Sequence, residues 1–86
     1  MIAFDYTVKD RDGIHARPAG TIIKTANLFS SDIKIEHKGR TESLKGGIFS
    51  LLGMGIRCGD TLRIKVDGVD EKAAADEIKR TFEEVL

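Results

Sequence analysis

The sequence predicts an α+β domain, in which helices cover one face of a β-sheet. Alternating apolar and polar residues indicate four half-buried strands, which lie in residues 2–8, 33–36, 40–44 and 61–66. Two other segments space their apolar residues as an amphipathic helix does, and an apolar run between glycines suits a short helix. Helices are needed to bury the apolar face of such a sheet. The order βαββαβα would also permit a ferredoxin-like arrangement.

Length and composition describe a small domain without a strong net charge. Eighty-six residues fit one domain, spanning positions 1–86, and 41% of them are hydrophobic. Fourteen basic and fourteen acidic residues cancel, so no overall field attracts nucleic acid or an anionic membrane. Positions 9–45 hold eight Lys or Arg against five acidic residues, and positions 67–86 hold three against seven. The more positive part suits a phosphate or an acidic partner, although ordinary surface scatter explains it nearly as well.

The start of the chain and its cysteine usage indicate the cytoplasm. The first residues lack the basic start and long apolar core of a signal peptide, and no segment approaches the length of a membrane span. Cys58 has no second cysteine with which to form an internal disulfide, which favours a reducing compartment. We expect a cytoplasmic protein without membrane insertion, in which Cys58 is a passive loop residue.

The first half of the chain predicts a strand, a helix and a hairpin. A charged loop at positions 9–13 connects the first strand to a helix from about Ala16 to Leu28 or Phe29. The second and third strands meet at Lys38-Gly39, which is typical of a tight turn. His37 lies at the end of the second strand, and we interpret it as a surface residue. No His or Cys spacing in the chain matches a metal site.

The second half predicts a short helix, a strand and a long helix. The apolar run at positions 48–56 has more apolar residues than one face of a short helix can bury, so Phe49 and Leu52 are candidates for an exposed docking patch. Burial of the whole run in the core is about equally consistent with the pattern. Asp70 is a favourable N-cap for the last helix, and Glu71 complements its dipole. The apolar stripe of that helix is Ala74, Ile78, Phe82 and Val85.

The stretch at positions 12–20 holds the chain's only proline and the residues with the clearest chemical meaning. Pro18 is tolerated in the first turn of a helix, which places His15 at or just before the helix N-terminus. Unpaired amides and the positive end of the helix dipole make such a terminus an anion site, and Arg17 adds a cation suited to phosphate. A histidine that accepts a phosphoryl group fits this pattern. A capping or exposed histidine beside a surface arginine fits the spacing equally well.

The residues Gly13-Ile14-His15-Ala16-Arg17-Pro18-Ala19 resemble the active-site signature of HPr, the histidine-containing phosphocarrier of the sugar phosphotransferase system. The resemblance covers essentially the whole chain. It includes the overall length, the Leu44-Lys45-Gly46 stretch and the segment Gly53-Met54-Gly55-Ile56. It implies an open-faced β-sandwich, with a four-stranded antiparallel sheet and three helices on one face.

The resemblance also implies a phosphoryl relay and assigns its residues. Enzyme I, charged from phosphoenolpyruvate, would phosphorylate Nδ1 of His15, and the phosphohistidine would then phosphorylate a sugar-specific IIA component. Arg17 would be the charge partner, with Ala16, Arg17 and Pro18 forming the phosphate-binding turn. The residues implied in partner docking are Gly20, Lys24, Ile48, Phe49 and Leu52. Such a chain is half of each transfer reaction rather than a stand-alone catalyst, and it needs no metal or organic cofactor.

The sequence departs from the family pattern at several positions. Gly46 and Gly47 occupy the neighbourhood where many members carry a regulatory serine, and Ser43 and Ser50 only flank that place. We therefore expect no regulatory serine. Asp12 replaces a small polar residue, and its carboxylate either makes the phosphorylated histidine a better donor or points away from it. Gly20 also departs from the pattern, on the helix implied in docking.

Two other functions remain open at this stage. An HPr-like protein that modulates an enzyme or a transcription factor would keep His15 and Arg17 without serving sugar uptake. A ferredoxin-like nucleic-acid-binding domain would need a basic surface and stacking aromatics on its sheet. Zero net charge, four Phe, one Tyr and no Trp fit that second alternative poorly. We expect no nucleic-acid partner.

Overall fold

The computed structural model describes the whole chain, residues 1–86, and contains four strands and three helices. In chain order these are β1 (Ile2–Thr7), α1 (Ala16–Ala26), β2 (Asp32–His37), β3 (Arg40–Ser43), α2 (Ile48–Leu52), β4 (Thr61–Asp67) and α3 (Glu71–Val85). The predicted α+β class and the order βαββαβα are confirmed. No helix has both the length and the apolar character needed to cross a membrane.

The four strands form one antiparallel sheet in the order β1-β4-β2-β3. β4 is central, because Ile64 pairs with Phe4 of β1 on one side and with Ile35 of β2 on the other. The β2–β3 hairpin turns at Lys38 and Gly39, whose φ angles of 49° and 80° are those of a tight turn. This order is that of an open-faced sandwich and excludes the ferredoxin-like alternative.

One face of the sheet is apolar and packs against the helices. Buried and exposed side chains alternate along β2 and β4, since successive side chains of a strand point to opposite faces. Helices α1 and α3 contribute Ile22 and Phe82 to the same core, where the Phe82 ring meets Tyr6 edge-on at 5.6 Å between ring centroids. A single cluster of eighteen buried hydrophobic residues therefore joins all three helices to the sheet.

The opposite face of the sheet is open and charged. Arg63 pairs with Asp5 at 3.0 Å, and Lys65 pairs with Glu36 at 2.9 Å. The outward positions of the strands carry no aromatic side chain. The face therefore lacks the stacking platform on which single-stranded nucleic acids bind.

Helix α1 is shorter than the sequence pattern predicts and ends at Ala26. Asn27 is the C-cap, and both its backbone N–H and its side-chain amide donate to the Ile23 carbonyl, at 3.0 and 2.9 Å. The next two amides bond three residues back instead of four, which ends the α-helical pattern. Phe29 continues the helical spacing of apolar residues in the sequence, but the helix ends before it because Asn27 caps α1.

The side chains of His37 and Asp70 make contacts that the sequence did not predict. His37 is buried, with 5% of its surface exposed, and its Nε2 lies 2.8 Å from Asp60 Oδ2, so the prediction of a surface histidine is wrong. Asp70 occupies the N-cap position of α3, but its side chain makes no capping bond to that helix. Its carboxylate accepts hydrogen bonds from the amides of Ser30 and Ser31 and from the Ser31 hydroxyl instead.

Candidate phosphoryl-acceptor site

His15 is the N-cap residue of α1 and has an extended backbone, with φ −131° and ψ −177°. Its side chain is exposed and makes no capping hydrogen bond. The N–H groups of Ala16 and Arg17 also have no partner within the chain, while Pro18 has no N–H to leave unpaired. An exposed imidazole therefore stands beside two free donors at the positive end of a helix dipole.

The loop that carries His15 is held close to the loop after α2. Ile14 N–H donates to the Ile56 carbonyl at 3.1 Å, and Gly13 N–H donates to the Asp10 carbonyl at 3.0 Å. Gly13 has a φ of 65°, and an added Cβ would overlap the Ile56 carbonyl oxygen and lie 2.8 Å from Arg57 Cα. The position therefore requires glycine for both its backbone conformation and its close packing.

Asp60, in the loop after α2, makes a second contact with the start of the His15 loop and also pairs with the buried His37 of β2. Asp60 accepts a hydrogen bond from Arg57 N–H at 2.9 Å and contacts Nε2 of His37 at 2.8 Å. The Arg57 backbone hydrogen bond, followed by the His37 contact, lowers the pKa of the Asp60 carboxyl below its ordinary value. Val8 N–H donates to the Asp60 carbonyl at 2.9 Å, so this unit supports the start of the His15 loop.

Sequence reasoning missed the His37–Asp60 pair. The two residues are 23 positions apart, and neither belongs to a local motif that reveals the partner. The only sequence signal was a histidine at a position of β2 that alternation assigns to the buried face. Such a residue needs a hydrogen-bonding partner in the core.

Arg17 and His15 line the same open depression, which has a volume of about 420 Å³. Its other lining residues are Asp10, Asp12, Pro18, Thr21 and Val85. The Arg17 guanidinium is exposed and forms no ion pair with any acidic side chain of the protein. The arginine is therefore free to meet an anion that reaches the His15 ring.

Two carboxylates stand close to the same ring. One carboxylate oxygen from Asp10, one from Asp12 and a ring nitrogen of His15 all lie within 4.8 Å of one another. The sequence left open whether the Asp12 carboxylate acts on the histidine or points away from it. The structure favours the first alternative, because the carboxylate lies near the ring. These are ligand types that divalent cations accept, but all three come from one short exposed or half-exposed loop rather than a closed cage.

The residues expected to dock partners share one side of the molecule. Gly20 of α1 faces α2, where an added Cβ would lie 3.9 Å from Ile48 Cδ1. Phe49 is 83% exposed, whereas Ile48 and Leu52 are half-buried against the core. Lys24 lies exposed further along α1. The apolar run is thus divided between core and surface, with Phe49 as its most exposed member.

The start of α2 carries no hydroxyl at its cap. Gly47 is the N-cap residue and offers no side-chain hydrogen bond. Ser43 is the last residue of β3 and its side chain accepts a hydrogen bond from Lys45 N–H at 3.1 Å, while Ser50 is inside the helix. The serines therefore flank the helix start, as the sequence indicated, and do not occupy it.

Comparisons with known proteins identify the family of the chain and match its fold. The family model for the PTS HPr component phosphorylation site matches residues 2–84. The phosphocarrier proteins HPr of Mycoplasma genitalium and Mycoplasma pneumoniae are 39% and 40% identical to the chain over 83 residues, covering 96% of the chain and 94% of each relative. A solved structure of a Mycoplasma histidine-containing phosphocarrier protein superposes with a TM-score of 0.92 at 35% identity, covering 96% of this chain and 93% of that one.

These matches extend over nearly the whole chain and agree with its sheet order and helix arrangement. A small open-faced α+β domain with a histidine at a helix N-terminus defines a class of phosphocarrier. The chain belongs to the HPr family of the phosphotransferase system.

Proposed function

We propose that the chain accepts a phosphoryl group from enzyme I on Nδ1 of His15 and passes it to a sugar-specific IIA component. One observation carries the choice of residue: His15 is exposed at the N-terminus of α1, beside two unpaired amides and an unpaired Arg17. The other histidine, His37, is buried and already bonded to Asp60. Membership of the HPr family supports the relay and its cytoplasmic location.

The chemistry is a transfer between two imidazole rings. The lone pair of the His15 ring nitrogen attacks the phosphorus, and the P–N bond to the donor ring breaks as the new P–N bond forms. The donor ring takes back its electron pair, and the proton that His15 gives up balances the one that the donor ring regains. No cofactor is needed on this chain, because each partner brings its own reacting histidine.

The protein supplies position and charge for this step. The N–H groups of Ala16 and Arg17 donate to phosphoryl oxygens, and the dipole of α1 favours negative charge at the same end. The Arg17 side chain adds a permanent positive charge. Pro18 sets the backbone of the first turn, so these donors are already arranged before the phosphoryl group arrives.

The partner-docking surface is the side formed by α1 and α2. The exposed Phe49, with Ile48 and Leu52 beside it, offers an apolar contact next to Gly20 and Lys24. Small and apolar residues allow a partner to approach α1 closely, while Lys24 and Arg17 suit an acidic partner. This placement lets one docking event bring the partner's histidine to the His15 end of α1.

The test is intact-mass analysis after incubation with phosphoenolpyruvate, Mg²⁺ and a catalytic amount of enzyme I. We expect one added phosphate that is lost in mild acid, is absent from His15→Ala and is retained by His37→Gln. Label on His15→Ala would assign the acceptor to another residue. If enzyme I adds the phosphate but no purified IIA component removes it, the result would favour the alternative in which the chain regulates an enzyme or a transcription factor.

A further inference from the structure

Two carboxylates at the His15 ring have no role in the transfer described so far. Asp10 and Asp12 each place an oxygen within 4.8 Å of the other's oxygen and of a His15 ring nitrogen. Neither carboxylate forms an ion pair, although Arg11 and Arg17 are near in sequence. The ring therefore faces two negative charges that no side chain neutralises by direct contact.

Backbone hydrogen bonds hold the Asp10 carboxylate and the loop that carries both aspartates. Asp12 N–H donates to Oδ1 of Asp10 at 2.8 Å, and Gly13 N–H donates to the Asp10 carbonyl at 3.0 Å. The amides of Lys9 and Asp10 both donate to the Leu86 oxygen at 2.6 Å, which anchors the loop to the C-terminus. A loop bonded on both sides in this way keeps the Asp10 carboxylate and the backbone of Asp12 beside the ring.

A phosphoryl group on the ring would add close to two negative charges at this place. The free ring carries no negative charge, so the carboxylates repel the phosphorylated state and leave the free state almost unaffected. We propose that Asp10 and Asp12 raise the phosphoryl-transfer potential of His15, so that the phosphorylated chain gives up its group more readily. This inference rests on the proposed function of His15 as the acceptor.

The expected size follows from the distance and the solvent. For charges about 5 Å apart in water at physiological salt, the repulsion changes the phosphorylation equilibrium by about fivefold for each carboxylate. Arg17 and the α1 amides attract the same phosphoryl group, so the two influences oppose each other. The attractive groups hold the phosphate during transfer, and the carboxylates keep the phosphorylated state from becoming too stable to donate.

The experiment is an equilibrium measurement on the full chain. Wild type, Asp10→Asn, Asp12→Asn and the double variant are mixed with catalytic enzyme I over a series of pyruvate to phosphoenolpyruvate ratios. In this reaction the P–O bond of phosphoenolpyruvate breaks, the P–N bond to His15 forms, and the proton lost by the ring reaches the enol carbon to give pyruvate. Intact mass measures the phosphorylated fraction. A catalytic amount of enzyme I affects the rate but not the equilibrium, so altered docking to enzyme I would leave this readout unchanged.

We expect the equilibrium constant for phosphorylation to rise about fivefold in each single variant and about 25-fold in the double variant, with smaller changes at high salt. Asp10→Asn keeps a side-chain oxygen that can accept the hydrogen bond from Asp12 N–H, so the loop should stay folded. Asp76→Asn, at an exposed site on α3, removes one charge elsewhere and should leave the constant unchanged. An unchanged constant in the double variant, or an equal rise in Asp76→Asn, would overturn the proposal. Absence of label on wild type would instead count against the proposed function itself.

Discussion

The first turn of α3 is filled by a carboxylate of the chain, that of Glu71, whereas the first turn of α1 has no acidic residue and is open. Both helices begin with a polar residue at the N-cap, and in neither does that side chain cap its own helix. At α3, however, Glu71 accepts hydrogen bonds from Gly68 N–H at 3.2 Å and from the Met1 ammonium at 2.9 Å. At α1 the exposed His15 stands beside amides that have no partner. The free amides of Ala16 and Arg17 are therefore available to an external anion, with no carboxylate in the first turn of their own helix.

The charges around the two termini have opposite consequences. The Ser31 hydroxyl and the Ser30 amide hold the pKa of Asp70 below its ordinary value, and the Met1 ammonium does the same for Glu71. These carboxylates are therefore occupied in stabilising the fold. Arg17 at α1 is exposed and unpaired, so its charge is free for a ligand. The carboxylates at the α3 terminus therefore stabilise the fold, whereas Arg17 at the α1 terminus is available to a ligand.

The largest effect that tests this comparison is expected at the open terminus. Arg17→Ala should slow phosphoryl transfer from enzyme I by about 10- to 100-fold, because charge compensation of the transferring group is lost. Arg80→Ala on exposed α3 is the matched control and should leave the rate unchanged. Single-turnover labelling measures both rates. An unchanged rate in Arg17→Ala would remove this side chain from the mechanism.

A smaller effect is expected from the exposed apolar residues near each terminus. Phe49 lies on α2 beside α1 and is 83% exposed, while Val69 precedes the α3 terminus and is 97% exposed. Phe49→Ala should raise the KM for enzyme I several-fold and change the free energy of unfolding by no more than about 0.5 kcal/mol. Val69→Ala should change neither quantity. A large loss of stability in Phe49→Ala would show that its ring belongs to the core.

The smallest effect on transfer is expected at the filled terminus, where stability should change instead. Asp70→Asn should lower the Tm near neutral pH, because the charged hydrogen bonds to Ser30 and Ser31 are weakened. A carboxyl with a lowered folded-state pKa stabilises the fold above its unfolded pKa and loses this contribution as the pH falls through the folded value. The Tm difference from wild type should therefore begin to shrink as the pH falls below about 4 and should disappear below the lower folded-state pKa of Asp70.

Labelling of Asp70→Asn by enzyme I should match that of wild type, since this residue holds a loop far from His15 in the sequence. Thermal unfolding between neutral and acidic pH, followed by circular dichroism, measures the stability change. A Tm difference that persists at low pH would mean that the Asp70 contacts do not depend on its charge.

Much of this protein can be read from residues that are close together in the sequence. The strand alternation, the hairpin at Lys38-Gly39 and the placement of Pro18 are local, because backbone geometry and side-chain period act over a few residues. The position of His15 at the start of α1 follows from the same local rules. These features were predicted correctly, apart from the last residues of α1, where Asn27 ends the helix.

Only the tertiary structure decided which polar side chains meet. His37 and Asp60 are 23 residues apart, and Ser31 and Asp70 are 39 apart, so each pair depends on how two loops pack. The loop anchoring at Ile56 and Leu86 likewise places the Asp10 carboxylate beside His15. The sequence determined that His15 lies at a helix N-terminus, while the electrostatic surroundings of His15 come from long-range packing. No periodic pattern encodes such packing, because the direction of a side chain in a loop depends on the contacts that fix the loop.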